Sequence, residues 1–285
     1  MIVVTGANSG IGFHAASELA LHGATVILAV RDVAKGEEAA RRIGAEVEVR
    51  RLDLADLDSV RRFADAWDGP LDLLINNAGI MASPYSTTAQ GFESQLGTNH
   101  LGHFALTGLM LRFLLRAQAP RVVTVSSVAH RMGKIRFDDL QSQQKYKPWP
   151  AYGQSKLANL LFAFELQRRA DGAGADITSV AAHPGYAATH LQSGTYSKLQ
   201  DAVMGVLNKV VAQSAEAGAL PTLFAATEPL PGAAYAGPGG PGEARGAPKL
   251  VDASSAAKDP QTAAALWKVS EELTGVAFDF GGASA

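Results

Sequence analysis

The sequence predicts an α/β fold with a mainly parallel sheet. Three observations support this: short β-branched segments recur along the chain, longer segments with helical periodicity follow them, and glycine, proline or asparagine stands at the junctions. Since no internal repeat or boundary interrupts the pattern, we expect a single domain over residues 1–285. The predicted strands lie at residues 2–5, 25–30, 47–52, 71–75, 121–126 and 177–182.

The composition argues against several classes of function. A net charge of −2 gives no electrostatic reason to expect nucleic acid or an anionic membrane as a partner. The chain has no cysteine, which rules out disulfides, thiolate chemistry and Cys-ligated zinc, and the spacing of its 7 histidines suggests no metal site. Because neither a signal peptide nor a membrane span is visible, we expect a soluble cytoplasmic protein.

A glycine-rich turn follows the first predicted strand and precedes a helical pattern. In this layout, glycines let the backbone approach a pyrophosphate that lies on a helix N-terminus. Glycines also serve ordinary tight turns, but the position after the first strand favours phosphate binding. The candidate residues are Gly6, Asn8, Ser9, Gly10, Ile11 and Gly12.

The second predicted strand ends at Arg31 and Asp32. In a dinucleotide-binding fold, an acid at this position binds the ribose 2′-hydroxyl of NAD, whereas an arginine accommodates the 2′-phosphate of NADP. Arg31 comes first and no acid precedes it, so NADP is favoured. Alternatively, Arg31 is a surface charge paired with Asp32.

The third and fourth predicted strands end in polar residues. Asp53 could accept a hydrogen bond from an adenine amino group or cap the next helix. Asn77 suits either a tight turn or close approach to a cofactor ribose, and Asn76 is expected to give structural support. The candidate cofactor contacts here are Asp53, Leu54, Asn77, Ala78 and Gly79.

Asn99 lies in the middle of a long apolar-faced helix predicted over residues 91–117. Helix propensity disfavours asparagine there, and a buried amide must find hydrogen-bond partners. The fifth strand ends in Ser126 and Ser127, whose hydroxyls would face the ligand-binding crevice of an open α/β sheet or would only close a turn.

Tyr152 and Lys156 lie one helical turn apart at the start of a long predicted helix, so both side chains can point at one small volume. A fixed cation stabilises a phenolate and lowers its pKa, which would let Tyr152 act as a general acid and base. The alternative is an ordinary amphipathic helix start with a solvated lysine and a half-buried tyrosine.

The remaining segments follow the sixth strand, which ends at His183-Pro184-Gly185. Residues 186–210, with Thr189, His190 and Tyr196, have the composition of a mobile substrate lid. Further predicted elements are helices over residues 214–227 and 259–274, a short strand around Tyr235 and a loose tail over residues 281–285.

Assembled in order, these motifs resemble the short-chain dehydrogenase/reductase family over nearly the whole chain. The branch of retinol dehydrogenases and protochlorophyllide reductases is the most similar, because of the sequence around Asn99 and the residues after Ser155. The motifs are Thr5-Gly6-x-x-x-Gly10-x-Gly12, Asp53-Leu54, Asn76-Asn77-Ala78-Gly79, Asn99, Ser127, Tyr152-x-x-x-Lys156 and Pro184-Gly185.

The resemblance implies a single doubly wound (Rossmann) domain, with a mainly parallel sheet of about seven strands and helices on both faces. It also implies that Tyr152 is the acid/base, and that Lys156 lowers its pKa and holds the nicotinamide ribose. Ser127 would hydrogen-bond the substrate oxygen, and Ser126 is the second candidate for this role. Asn99 would place a water that relays protons beyond Lys156.

For the cofactor, the resemblance implies that Thr189, after Pro184 and Gly185, contacts the nicotinamide amide or its phosphate. Arg31 matches the residue that sets preference for NADP in this branch. We therefore predict an NAD(P)-dependent oxidoreductase that prefers NADP(H), although NAD(H) stays open. It would transfer a hydride between the nicotinamide and a carbonyl or alcohol of a lipophilic small molecule.

Two other functions are alternatives to this one. A dinucleotide-sensing regulatory protein of the same fold would need the glycine loop but neither Tyr152 nor Lys156. Light-driven reduction of a tetrapyrrole double bond relies on a cysteine in the related enzymes, and this chain has none. Family members commonly pair through their long helices, so a homodimer or homotetramer is expected.

Overall fold

The computed structural model of the protein describes residues 1–185 and 214–281. An eight-stranded sheet lies at its centre, with the strand order β3-β2-β1-β4-β5-β6-β7-β8. Strands β1 to β7 are parallel, and β8 runs antiparallel to β7 at one edge. The strands are β1 (Ile2–Thr5), β2 (Val26–Val30), β3 (Val47–Arg51), β4 (Leu73–Asn76), β5 (Arg121–Val125), β6 (Thr178–Ala182), β7 (Tyr235–Pro238) and β8 (Pro248–Leu250).

Helices cover both faces of the sheet, which confirms the predicted doubly wound α/β domain. They are α1 (Gly10–Leu21), α2 (Val33–Ile43), α3 (Leu57–Asp65), α4 (Ser94–Leu96), α5 (Gly102–Leu114), α6 (Pro148–Ala173), α7 (Ala215–Thr227) and α8 (Pro260–Thr274). Across residues 1–185 and 214–281, none of these helices combines the length and the apolar character that a bilayer crossing requires.

The sheet has one strand more than the sequence pattern indicated. The added strand, β8, has three residues, begins with a proline and lies at the sheet edge with its side chains half-buried or exposed. Such a segment carries no hydrophobic alternation, so it cannot be recognised from sequence periodicity. Its proline is tolerated because edge strands leave one side of the backbone unpaired.

The strands between the two helical layers are buried on both faces. Alternate residues of β1 and β4, such as Val3 and Leu74, join a core with α3, α5 and α6, whereas Val4 and Ile75 join a second core with α1 and α2. Burial on both faces explains why these strands are apolar throughout and do not alternate with polar residues.

An aromatic cluster closes the outer side of α5 and α6. Trp267 of α8 stacks on Phe162 of α6, with ring centroids 5.7 Å apart and an interplanar angle of 22°. Phe278, after α8, lies 4.9 Å from the ring of Phe104 on α5. The part of the long helices that these rings cover is therefore inside the protomer and unavailable to a second subunit. The expected homodimer or homotetramer stays a prediction.

The helix predicted over residues 91–117 is interrupted at Asn99. A π-helical turn, Gly97–Leu101, joins α4 to α5, and the Gly102 N–H donates to the Gly97 carbonyl five residues back. Such single π-turns often occur at functional sites, because the extra residue redirects a side chain. Helical periodicity in the sequence cannot reveal one inserted residue.

The helix that carries Tyr152 begins four residues earlier, at Pro148. Proline is well suited to a first helical position, since the N–H that it lacks would have no partner there. The predicted lid over residues 186–210, with Thr189, His190 and Tyr196, falls outside the described residues. The same is true of residues 282–285 in the predicted tail.

Candidate active site

A cleft of about 380 Å³ lies at the carboxyl ends of the parallel strands. It opens where the strand order reverses, between β1 and β4, which is the usual ligand site of open α/β sheets. The predicted cofactor residues that line it are Gly6, Asn8, Ser9, Gly10, Ile11, Gly12, Arg31, Asp53, Leu54, Asn77, Ala78, Gly79, Tyr152, Lys156 and Pro184. Most of the predicted set is thus brought together.

Two glycines of the loop, Gly6 and Gly12, leave no room for a side chain. A Cβ atom on Gly12 would lie 2.4 Å from Asn77 Nδ2 and 2.7 Å from the Gly6 carbonyl oxygen. Gly6 itself has a φ of +67°, in the left-handed region that favours glycine. The helix that follows, α1, has no acidic side chain in its first turn, and Ser9 makes no side-chain cap. These residues fit the pyrophosphate of a dinucleotide.

Arg31 is exposed at the far end of the cleft, beside a second cation that the sequence prediction missed. Lys35 also lines the cleft, and its Nζ lies 3.6 Å from Asp32. Asp32 caps α2 by accepting from the Lys35 backbone N–H at 3.2 Å. Among the described residues, Asp32 forms its ion pair with Lys35 and not, as the alternative interpretation of Arg31 requires, with Arg31. Lys35 lies in the first turn of α2, three residues after the Asp32 N-cap, and this spacing at the end of β2 could have identified it.

Asp53 lies in the cleft but does not cap the next helix. Its Oδ1 accepts from the Ala55 backbone N–H at 3.0 Å, whereas α3 is capped by Asp56. Leu54 is buried, and its carbonyl lies 2.4 Å from the place that a Cβ on Gly102 would take. Of the two alternatives for Asp53, contact with an adenine therefore stays as the prediction.

Two adjacent asparagines at the end of β4 have different partners. Asn76 is fully buried and donates to Thr107 at 2.9 Å, which confirms its structural role. Asn77 is half-buried, lines the cleft and donates from Nδ2 to the Thr5 carbonyl at 2.8 Å. Asn77 therefore fixes the glycine loop and also faces the cofactor cleft, so both alternatives for it are retained.

Asn99 connects the two sides of the cleft through its side-chain amide. Oδ1 accepts from the Ile80 N–H at 2.8 Å, and Nδ2 donates to the Ile80 carbonyl and to Ser155 Oγ, both at 2.9 Å. Ser155 in turn donates to the Tyr152 carbonyl at 2.8 Å. Both amide hydrogens of Asn99 are thereby used. Its expected role in placing a water stays a prediction.

Ser126 and Ser127 are used differently although they are neighbours. The Ser126 hydroxyl is buried and donates to the Lys156 carbonyl at 2.7 Å, so it is part of the packing beneath α6. Ser127 is half-buried, and its hydroxyl accepts from the Ala129 N–H at 3.2 Å. It also hydrogen-bonds the Tyr152 side chain. Of the two, Ser126 lines the cleft and Ser127 does not, so the assignment of Ser127 as the partner of a substrate oxygen rests on its bond to Tyr152.

Tyr152 and Lys156 are both buried at the inner end of the cleft. The Lys156 ammonium lies 5.8 Å from the centre of the Tyr152 ring and donates to the Val125 carbonyl at 3.1 Å. Burial raises the pKa of Tyr152 to about 12, although its hydrogen bond to Ser127 lowers it. Burial lowers the pKa of Lys156 to about 8.

The expected lowering of the Tyr152 pKa is therefore not found in the structure. Burial of the phenol disfavours its charged form and raises the pKa, and the hydrogen bond with Ser127 offsets this rise only in part. Lys156 keeps its positive charge at neutral pH, since its pKa is still about 8. The pair thus combines a protonated phenol with an ammonium group, which suits proton donation to a substrate oxygen.

The end of β6 borders the cleft. Pro184 lines it, and the N–H of Gly185 donates to His183 Nδ1 at 3.1 Å. Gly185 has a φ of +68°, and a Cβ there would lie 2.5 Å from the Ala244 carbonyl oxygen. Both features require glycine at this position. Thr189, the remaining predicted cofactor residue, lies outside the described part of the chain.

The chain is similar to proteins of one family in sequence and in structure. The family model of the short chain dehydrogenase matches residues 1–200. Human retinol dehydrogenase 12 is 44% identical over 291 residues, which cover 98% of this chain and 87% of that protein. Mouse retinol dehydrogenase 12 is 43% identical over 288 residues, with the same coverage of both chains.

Two solved structures extend the comparison. An uncharacterized protein from Mycobacterium paratuberculosis is 53% identical, with a TM-score of 0.84, over 98% of this chain and 94% of that one. The NADP complex of Pseudomonas aeruginosa RhlG is 27% identical, with a TM-score of 0.56, over 67% of this chain and 74% of that one. The fold, the family model and these relatives lead to one conclusion: the chain belongs to the short-chain dehydrogenase family of NAD(P)-dependent oxidoreductases.

Proposed function

We propose that the protein transfers a hydride between the nicotinamide of NADP(H) and a carbonyl, or the corresponding alcohol, of a lipophilic small molecule. The observation that carries this proposal is the joint position of Tyr152, which is hydrogen-bonded to Ser127, and Lys156 in a cleft that is also lined by a glycine loop. Hydride chemistry needs a bound dinucleotide and a positioned proton donor, and this cleft offers a place for both.

In this proposal, the side chains handle the proton and orient the substrate. Ser127 holds the substrate oxygen, and Tyr152 donates its phenolic proton to that oxygen in reduction or accepts it in oxidation. Lys156 stabilises negative charge on the phenol, and Asn99 keeps the Tyr152 segment in place through Ser155. When bound, the nicotinamide supplies or accepts the hydride.

The proposed preference for NADP(H) is supported by two cations at the ribose end of the cleft. Arg31 and Lys35 both line the cleft, and Asp32 is occupied by its bonds to Lys35. A guanidinium can bind a phosphate through two charge-assisted hydrogen bonds, which makes it selective for the 2′-phosphate. The NADP complex of the related RhlG structure also supports this preference.

The proposed substrate class is a lipophilic alcohol or aldehyde. The names of the similar retinol dehydrogenases support an apolar substrate with a primary alcohol. Trp149, which is 39% exposed, lies with its ring 6.1 Å from that of Tyr152, and this places an apolar surface beside the proton donor.

The cytoplasmic location expected from the sequence stays a prediction, as does the expected oligomer.

Replacement of Tyr152 by phenylalanine tests the proposal. Tyr152→Phe keeps the ring and removes the proton donor, so kcat with a panel of lipophilic aldehydes should fall by about 10²–10⁴-fold. Affinity for NADPH, measured by fluorescence titration, should change less than about threefold. A variant with wild-type turnover would refute the assignment.

The alternative function, a dinucleotide-sensing regulatory protein, predicts a different result. A dinucleotide sensor would bind NADPH, show no turnover with any member of the panel, and capture a partner protein only when the cofactor is bound. Wild-type turnover that depends on Tyr152 would exclude it.

A further inference from the structure

His103 is a buried histidine outside the predicted catalytic set. It lies on α5, two residues after the π-helical turn, and is 1% exposed. Its two ring nitrogens contact two different segments, the end of β1 and the π-helical turn. Nδ1 lies 2.9 Å from the Asn99 carbonyl oxygen, and Nε2 lies 2.9 Å from Thr5 Oγ1. The imidazole therefore bridges the end of β1 and the turn that presents Asn99.

The partners of Thr5 determine which nitrogen carries the proton. Its buried hydroxyl accepts from the N–H groups of Asn77 and Ala78, both at 2.9 Å, which uses both oxygen lone pairs. The hydroxyl hydrogen then points to His103 Nε2, because the alternative acceptor, the Ile75 carbonyl, is 3.3 Å away. Nε2 is thus the acceptor, and the proton on Nδ1 is donated to Asn99.

The neutral imidazole that this arrangement requires is also the form that the surroundings favour. Burial and the nearby Lys156 ammonium lower the pKa of His103 to about 4, although its bond to the Asn99 carbonyl raises it. At neutral pH the ring is therefore uncharged, with one donor and one acceptor nitrogen. Both nitrogens are satisfied by protein atoms.

We infer that His103 is a positioning residue that aligns the cofactor loop with the acid–base residues. Its Nε2 bond orients the Thr5 hydroxyl, which holds the Asn77–Ala78 turn against the glycine loop. Its Nδ1 bond holds the backbone of Asn99, whose side chain is tied to Ser155 beside Tyr152. One side chain thus sets the distance between the two functional halves.

The two bonds of His103 predict two separable effects. Loss of the bond to Thr5 should loosen the turn at Asn77 and weaken NADPH binding. Loss of the bond to Asn99 should disturb the Ser155–Tyr152 segment and lower kcat. If His103 only filled space, its replacement would lower NADPH affinity, kcat and stability together, and the two effects could not be separated.

Two amide replacements test the separation. The side chain of His103→Asn places its amide near the position of Nδ1 and can donate to Asn99, but cannot reach Thr5. The longer side chain of His103→Gln reaches the position of Nε2 and can accept from Thr5, but leaves the Asn99 carbonyl without its donor. His103→Phe removes both bonds, and His100→Phe is the matched control.

His100 suits this control because it is also 1% exposed and neutral, yet bonds Ser270 of α8 at 2.9 Å and not the cleft. We expect His100→Phe to lower Tm while kcat and the NADPH Kd stay within about twofold of wild type. His103→Gln should keep the NADPH Kd within about threefold but lose about tenfold or more in kcat, and His103→Asn should show the reverse.

The result that overturns the inference is a parallel change in both amide variants. If His103→Asn and His103→Gln lose affinity and kcat together, in proportion to the drop in Tm, then His103 is only a packing residue. Wild-type behaviour in both would overturn it as well. Should His103→Phe fail to fold, these two variants still decide between the outcomes.

The kcat part of the inference rests on the proposed oxidoreductase function, whereas the NADPH affinity part does not. A Tyr152→Phe enzyme that keeps full turnover would refute the proposed function. Even then, an NADPH Kd raised in His103→Asn but not in His103→Gln would support the positioning role.

Discussion

The two ends of the cleft, one for cofactor binding and one for acid–base chemistry, are built in opposite ways. At the glycine loop, cofactor binding depends on the absence of side chains, because a Cβ on Gly12 would overlap Asn77 Nδ2 and the Gly6 carbonyl. At the acid–base end, the residues act through side chains that are almost fully buried, as Tyr152 and Lys156 are. Substitutions at the first end should therefore affect cofactor binding, and substitutions at the second should affect turnover.

The strongest test of this contrast is a single methyl group on the loop. In Gly12→Ala, the Cβ would lie 2.4 Å from Asn77 Nδ2, so the loop must shift away from the cofactor. We expect the NADPH Kd, measured by fluorescence titration, to rise by about 100-fold, which corresponds to about 2.7 kcal/mol.

Gly172→Ala is the control, since a Cβ on Gly172 of α6 meets nothing within 4 Å. It should leave the NADPH Kd unchanged and, if anything, raise Tm, because alanine favours a helix over glycine by up to about 1 kcal/mol. Equal weakening by both substitutions would show that the effect is not steric.

The two neighbouring serines sharpen the comparison at the other end. Ser127→Ala removes the hydroxyl that bonds Tyr152, so kcat should fall by about 10²-fold, as when one donor to a developing oxyanion is removed. Ser126→Ala instead removes a buried bond to the Lys156 carbonyl and should cost about 1 kcal/mol of unfolding free energy with a smaller change in kcat. The reverse order of kcat losses would identify Ser126 as the substrate partner.

Cofactor selectivity gives a smaller, graded effect. Arg31→Ala removes an exposed charge-assisted partner worth about 1.5 kcal/mol, so the NADPH Kd should rise by about 10-fold while the NADH Kd stays nearly constant. Arg41→Ala, on the exposed last turn of α2, is the control and should change neither value. An equal loss for both cofactors would contradict the role of Arg31 in binding the 2′-phosphate.

The smallest expected effect is on the pH profile. The Lys156 pKa, lowered to about 8, means that the ammonium loses its proton as the pH rises through that value. Tyr152, with a pKa of about 12, stays protonated over the same range. The value of kcat/KM for carbonyl reduction should therefore decline above about pH 8, since it reports the free enzyme.

Lys156→Arg provides the control for that assignment. A guanidinium keeps its proton over the whole accessible range, so the alkaline decline should move to higher pH even if overall activity is lower. A decline that stays at the same pH in this variant would belong to another group.

The sequence alone predicted the residues of the site better than their interactions. The glycine loop and the Ser127, Tyr152 and Lys156 positions follow from strand ends and from one-turn spacing, which are local features. Thr5 and His103 were missed as a pair because 98 residues separate them, and no local pattern predicts that contact. The raised pKa of Tyr152 was missed for a similar reason: burial depends on the packing of the whole fold.

The fold was predicted in the same uneven way. Strand positions were close to those found, since a buried parallel strand is a continuous apolar run. The π-helical turn at Gly97–Leu101 was missed because a one-residue bulge leaves the apolar pattern of a helix nearly intact. That turn presents Asn99, so the least predictable backbone feature lies at the candidate site.

The aromatic packing of Trp267 and Phe278 on α5 and α6 has a consequence for biosynthesis. Phe104 and Phe162 leave the ribosome long before their partners at positions 267 and 278, so one side of the core has no cover while the intervening segment is being translated. A nascent chain at that stage exposes large rings that can associate with other chains. Stalled or truncated translation products should therefore depend on chaperones more than the completed protein does.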